Sequence, residues 1–186
     1  QTGAMLARIE AVLLTERPDW VVVFGDTNST FAGALAAVKL GVPVAHVEAG
    51  LRSFDRAMPE EINRVVTDHV STLLLAPTST AVQNLAREGI TAGVAAVGDV
   101  RVDVMTDAVA RARDRRAALL ERCRIPAGAP FVLATIHRAS NTDQAPRLRQ
   151  VVSALTELGL PVVLPVHPRL RKMLRPMLYA PPSMPI

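Results

Sequence analysis

The sequence predicts an α/β protein built on a parallel, doubly wound sheet, and three observations point there. Short runs rich in β-branched residues alternate with helical segments of about ten to fifteen residues. The runs "WVVVF", "VPVAHV", "TLLLA" and "VAAV" carry almost no polar side chains, the pattern of strands covered on both faces. At 186 residues, 49% hydrophobic, with a mean hydropathy of +0.25, the chain has enough apolar side chain for one domain or two small ones.

Taken in order, residues 4 to 15 read as an amphipathic helix with Met5, Ile9, Val12 and Leu13 on one face. "PDWVVVFGD" gives the first strand, expected to be buried on both sides, and "TNSTFAGALAAVKLG" a helix stopped by Gly41. "VPVAHVE" is the second strand. Pro59 opens a helix that runs to about His69, with Ile62, Val65 and Val66 as its inward stripe. "TLLLAP" is the third strand, "TSTAVQNLAREG" a helix from a threonine cap to a glycine stop, and "VAAVGD" the fourth strand.

The arginine-rich run "RARDRRAALLERCR", 111 to 124, has helical spacing with Asp114 and Glu121 interspersed and reads as a solvated helix face. The turn-rich "IPAGAP", 125 to 130, marks a linker. Beyond it come a strand "FVLATIH", a helix "QAPRLRQVVSALTELG", a strand "LPVVLPVH" and the start of a helix "PRLRKML". The expected organisation is therefore a first domain with its linking helix at 1–124 and a second at 125–186. Two parallel strands are fewer than an independent sheet normally has, so the second domain reads as incomplete, and the closing "APPSMPI" as irregular.

Composition excludes several function classes. The net charge is +4, yet Lys39 and Lys172 are the only lysines, and aromatic residues are 3%, leaving few platforms on which single-stranded bases could stack. No nucleic-acid partner is expected. No apolar run reaches the roughly 18 residues of a membrane span. The beginning "QTGAMLARIE" lacks the regions of a signal peptide, so no membrane association and a cytoplasmic location are expected. Cys123 is the single cysteine and reads as a packing residue; no Cys/His spacing suggests zinc, and no metal is expected.

In open parallel sheets ligands bind beyond the carboxyl ends of the strands. The first strand delivers Gly25, Asp26 and Thr27 to that edge, and the second delivers His46, Glu48 and Arg52. The second block delivers His137 and Arg138, then His167. Such convergence of polar groups marks a site. Each member also has a structural reading. Asp26 can cap the helix after it, while Glu60 and Glu61 sit in a first turn where the helix dipole favours carboxylates. Glu60 and Arg64, four apart, can form a surface pair, and backbone groups can satisfy His137 and His167. Spacing does not explain Glu48, an acid that ends an apolar strand just before Gly50.

The motifs "GDTNST", "HVEAGLRS", "MPEEINR", "APTSTAVQNLAREG", "VGDVRVD" and "TIHRASN", in this order, resemble the non-hydrolysing UDP-N-acetylglucosamine 2-epimerases from residue 1 to about 170. The resemblance implies two Rossmann-like halves in a glycosyltransferase-B architecture, with the nucleotide sugar between them. It implies interconversion of UDP-N-acetylglucosamine and UDP-N-acetylmannosamine for surface polysaccharide, without a cofactor, by loss and return of UDP through 2-acetamidoglucal. It also implies a homodimer. The hydrogen on carbon 2 is weakly acidic, so one group must remove it and another must return it on the opposite face. The resemblance assigns Asp26, Glu48 and Glu60 to that work and His137 to UDP departure. It places Arg138 and His167 at substrate or activator contacts, where cations suit a diphosphate, and puts Arg64 with the substrate-binding residues, chiefly orienting the acids.

Departures from the pattern carry their own expectations. The "GTRPE"-like turn whose arginine meets the diphosphate is not in the chain, nor are the "SGG" loop and "QEE"-like pair that hold UDP, and "VGDVRVD" stands where a "GN" form is commoner. The chain is thus expected to be a core piece, truncated at both ends. Two functions follow: an epimerase, or a non-catalytic or partner-dependent protein that binds sugar nucleotides. A retaining glycosyltransferase of the same architecture is disfavoured, because three acids suit proton transfer on a single sugar.

Overall fold

Four short parallel strands, β1 (Val21–Phe24), β2 (Val44–Val47), β3 (Leu73–Ala76) and β4 (Val94–Ala96), lie side by side in chain order. The computed structural model describes residues 1–178. Register pairs Val23 with His46 and His46 with Leu74, so the strands end nearly level. The turns that follow β1 and β2 therefore leave from one edge, and both carry acids.

Helix α1 (Thr2–Glu16) precedes the first strand, and α2 (Asn28–Lys39), α3 (Pro59–Val70) and α4 (Ser79–Arg87) make the connections between strands, as parallel pairing requires. Small residues let α2 approach the sheet closely: Ala32, Gly33, Ala34, Ala36 and Ala37 are all buried. With Leu13, Val23 and Val44, Ala34, Ala36 and Ala37 form one core, while Ala49, Leu74, Ala76, Ala81 and Leu85 form another beside α4. Thr27 and Thr78 cap α2 and α4 through their side chains; the second was expected from sequence, while for α2 the threonine takes the place that Asp26 could have filled.

Three expectations about buried faces need correction. β1 is covered on one face only: Val23 is buried, while Val22 and Phe24 are 54% and 61% exposed. It is an edge strand of this sheet, and an apolar run does not by itself show whether both faces are covered. On α1 the inward residues are Leu6, Ile9 and Leu13, with Val12 facing out. On α3 the buried residues are Glu61, Asn63, Thr67 and Asp68, whereas Ile62 is exposed. That helix packs over strand-end turns, whose backbone groups call for hydrogen-bonding partners rather than for an apolar stripe.

The chain divides into two units, Gln1–Ala108 and Val109–Ile186, and the break falls within α5 (Val100–Ala112), which has no buried residue. The arginine-rich run is exposed along nearly its whole length, but a short 3-10 turn at Arg113–Arg115 separates α5 from α6 (Arg116–Arg122). Cys123 is exposed and not a packing residue; Ile125, two positions on, is the buried one.

The second unit pairs β5 (Val132–Leu133) with β6 (Val162–Val163), parallel, beside α7 (Ala139–Thr142), α8 (Ala145–Thr156) and α9 (Pro168–Leu178). Ile136, Leu148 and Leu170 form its core. The "APPSMPI" stretch lies outside the described residues. Among the described residues no helix is long and apolar enough to cross a membrane.

Candidate active site

Asp26 follows β1 after Gly25, and Thr27 rather than Asp26 caps α2: the Thr27 hydroxyl accepts from the Thr30 amide at 3.4 Å. The aspartate is therefore left for other partners. Its Oδ2 accepts from Arg64 Nη2 at 2.5 Å, and its carbonyl accepts from Asn63 Nδ2 at 2.9 Å. Both donors come from α3. The preceding Gly25 carbonyl accepts from His46 Nε2 at 2.8 Å, and His46 Nδ1 lies 2.6 Å from Asp68 Oδ1. The turn that presents Asp26 is thus held by two strands and a helix.

Glu48 leaves β2 with φ 73°, a left-handed conformation that is costly for any residue with a Cβ. Gly50 shows why the chain bends so sharply here. Its amide donates to Asp68 Oδ2 at 3.0 Å, and its carbonyl accepts from Asn84 at 3.0 Å. With φ 79°, it sits so close to α4 that a Cβ at this position would lie 2.4 Å from the Ala81 carbonyl oxygen. The backbone is clamped at residue 50, and residue 48 takes up the turn. The Glu48 side chain is 20% exposed, with Oε1 3.7 Å from Arg101 Nε.

Arg101 stands in the first turn of α5, from the "VGDVRVD" stretch. Asp99 accepts from its Nε at 2.9 Å and its Nη2 at 2.7 Å, and these bonds hold the Asp99 carboxyl below its usual range. Asp99 and then Glu48 raise the Arg101 guanidinium, and Asp26 contributes as well. Asp26 and Glu48 thus each follow a neighbouring strand of the sheet, with Arg101 beside Glu48 and Arg64 beside Asp26.

Glu61 and Arg64 form the brace beside Asp26. Glu61 accepts from the Ser53 amide at 2.8 Å, the Ser53 hydroxyl at 2.9 Å, the Phe54 amide at 3.0 Å and Arg64 Nη1 at 2.9 Å. Burial pushes its carboxyl up, but these bonds outweigh burial and hold it at about 2. Burial alone would lower the Arg64 guanidinium; Glu61 and Asp26 raise it. With both Nη atoms engaged by carboxylates, Arg64 orients Asp26 instead of reaching outward. The surface pair of Arg64 with Glu60 does not form. Glu60 is exposed on the first turn of α3, with no hydrogen bond or ion pair to the described residues.

The structure removes two residues from the open edge. His46 is fully buried, and Arg52 has a side chain 1% exposed, bonded to Asp68 at 2.7 Å and twice to Glu88 at 2.7 Å. Burial lowers the Arg52 guanidinium, while Glu88 and Asp68 raise it above its ordinary value. The residues that sequence reasoning missed are Asn63, Asp68 and Arg101, and Glu61 was read only as an acid of the first helical turn. For Asn63 and Asp68 the signal was present in "EEINRVVTDH", where polar side chains recur at helical spacing on one face.

The second unit gathers its own set. His137 and His167 are exposed and line one concavity of about 570 Å³ with Thr135, Ile136, Pro165 and Val166. His137, Arg138 and Asn141 line an adjoining one of about 300 Å³. The two strand ends thus bring His137 and His167 together, with Arg138 beside the first. Among the described residues no cluster of three or more His, Cys, Asp or Glu is placed to hold a metal ion.

Comparison with known proteins supplies the context. The family model described as UDP-N-acetylglucosamine 2-epimerase matches residues 1–184. A UDP-N-acetylglucosamine 2-epimerase homolog of Methanococcus maripaludis is 52% identical over 94% of this chain and 48% of its own length. The UDP-2,3-diacetamido-2,3-dideoxy-D-glucuronate 2-epimerase of Pseudomonas aeruginosa is 51% identical over 91% of this chain and 48% of its own. The crystal structure of Methanocaldococcus jannaschii UDP-GlcNAc 2-epimerase in complex with UDP-GlcNAc and UDP superposes with a TM-score of 0.82 at 46% identity, over 93% of this chain and 49% of that one. The chain spans about half the length of the curated relatives it matches.

Proposed function

The chain belongs to the UDP-N-acetylglucosamine 2-epimerase family, and from that premise we propose that it carries the proton-transfer half of a nucleotide-sugar 2-epimerase. The observation that carries the reading is the pair of acids at neighbouring strand ends, Asp26 and Glu48. One is oriented by Arg64 at 2.5 Å, and the other is held in a strained turn with Arg101 3.7 Å away. Strain of this kind persists only where surrounding structure imposes it, and it gathers at functional sites.

In the proposed reaction one carboxylate takes the hydrogen from carbon 2 as UDP departs from carbon 1. The second returns a proton to the opposite face of the 2-acetamidoglucal before UDP adds back. Glu60, exposed on the same helix that braces Asp26, completes the acid set. His137 assists departure of UDP, and Arg138 and His167 meet the diphosphate, whose charge grows as the bond to carbon 1 breaks. Arg64 serves this chemistry by fixing Asp26. The substrate is a UDP-linked 2-acetamido sugar of the kinds named for the relatives, either UDP-GlcNAc or a UDP-diacetamido-glucuronate. A homodimer working in the cytoplasm is part of this reading.

The test is conversion of UDP-N-acetylglucosamine and of the diacetamido-glucuronate nucleotide, followed by proton NMR of the anomeric and carbon-2 couplings. Appearance of the manno-configured product from either supports the reading. Binding of UDP without product selects the second reading, a non-catalytic or partner-dependent sugar-nucleotide-binding chain.

A further inference from the structure

We infer that His46 and Asp68, both buried, are the positioning pair of this site: together they hold the two acid-bearing turns at the separation that proton transfer on one carbon needs. The inference rests on the reading that Asp26 and Glu48 address carbon 2. Three hydrogen bonds run from one turn to the other. His46 Nε2 donates to the Gly25 carbonyl at 2.8 Å, its Nδ1 donates to Asp68 Oδ1 at 2.6 Å, and Asp68 Oδ2 accepts from the Gly50 amide at 3.0 Å. The Gly25 oxygen lies in the peptide plane that carries the Asp26 nitrogen, so fixing it sets the direction in which Asp26 leaves the strand. At the far end, the Gly50 amide anchors the turn that Glu48 opens.

Packing alone does not call for these residues. His46 stands in a strand buried at every position, with Val23 and Leu74 as its register partners. An apolar side chain would suit that place, and a buried ion pair adds little stability over one. What the pair supplies is direction. The partners also assign the hydrogens: the Gly25 carbonyl can only accept, and Asp68 accepts at both oxygens, with Arg52 Nη1 as a third donor at 2.7 Å. Both ring nitrogens of His46 therefore carry hydrogen, and the imidazolium and Arg52 together balance Asp68 and Glu88. Bonds between charged partners are short and directional, and a misplacement of about 1 Å costs a reacting centre about 100-fold in rate. Buried as they are, both residues act through the turns they hold.

The experiment measures turnover of UDP-N-acetylglucosamine and of the diacetamido-glucuronate nucleotide in heavy water, and reads the His46 ring nitrogens by NMR in ordinary water. His46→Gln keeps one donor group but cannot span both partners. Per folded chain its kcat should fall by about 10- to 100-fold, with KM and UDP affinity near wild type. More 2-acetamidoglucal should also escape per epimer formed, because the returning acid is out of place. Asp68→Asn can keep all three bonds, its amide donating to His46 Nδ1 and its oxygen accepting from Gly50 and Arg52. It should lose less turnover than His46→Gln, and its His46 should carry hydrogen on Nε2 alone. Wild-type His46 should carry hydrogen on both nitrogens, a result that tests the pair even where His46→Gln fails to fold. An unchanged kcat in folded His46→Gln, a loss confined to KM, or a single ring hydrogen on wild-type His46 would overturn the inference. No deuterium at carbon 2 from the wild-type chain refutes the proton-transfer reading and this role with it; deuterium there with unimpaired His46→Gln refutes this role alone.

Discussion

Glu48 combines a cost with a use. A left-handed φ of 73° on a residue with a Cβ is unfavourable by about 1–2 kcal/mol, and glycine would avoid it. Glu48→Gly should therefore unfold at an equal or higher urea concentration than wild type, while Glu48→Val, β-branched in the same conformation, should unfold earlier. Catalysis should run the other way. Glu48→Gln and Asp26→Asn should each lower turnover by about 100-fold or more with nucleotide affinity nearly unchanged, as expected for groups that act on a proton. Steady-state rates together with UDP binding check this, and an unchanged rate removes that residue from the mechanism. Glu48 was legible in the sequence because an acid ending an apolar strand before glycine has no ordinary structural role. Arg101 was not, because its neighbours are Asp99 in the same turn and Glu48 at the end of a different strand, a proximity that only the fold creates.

At the scale of elements, α3 supports the site more than it fills the core. Its Glu61 gathers the Ser53 and Phe54 amides, so the loop from β2 into α3 rests on a carboxylate. That carboxyl lies at about 2 in the folded chain against 4.5 when free. A carboxyl lowered on folding stabilises the fold fully above about pH 4.5 and loses that contribution as pH falls toward 2. The sum is on the order of 3 kcal/mol. Urea midpoints measured between pH 6 and pH 3 should fall for wild type and vary less for Glu61→Gln; parallel curves would contradict the clamp. Gly50→Ala should be more damaging, since its Cβ would come within 2.4 Å of the Ala81 carbonyl on top of an unfavourable φ. Loss of a cooperative thermal transition, or a midpoint far below that of wild type, is the expected outcome. The helix itself was readable from Pro59 and its acidic first turn. Its inward face was not, because Ile62, Val65 and Val66 form the more apolar stripe, while the turns under α3 demand donors and acceptors.

At the scale of the whole molecule, the alternation of runs and helices correctly predicted the parallel α/β class and the threonine cap at Thr78, while the cap of α2 is Thr27 and not Asp26. The exposure of Val22 and Phe24 was beyond that kind of reading, because strand sequence reports hydrophobicity and not which neighbours are at hand. The motifs carried the family, and the fold brings Asp26 and Glu48 to one edge of the first unit's sheet, with His137, Arg138 and His167 around the concavities of the second. What unites these parts is the claim that Asp26 and Glu48 exchange a single carbon-bound hydrogen. Incorporation of solvent deuterium at carbon 2 of the UDP-sugar, followed by NMR in heavy water, tests it most directly. The account predicts incorporation by the wild-type chain and a loss of about 100-fold or more in both Asp26→Asn and Glu48→Gln. Tight UDP-sugar binding with no deuterium at carbon 2, or undiminished incorporation in either variant, would contradict it.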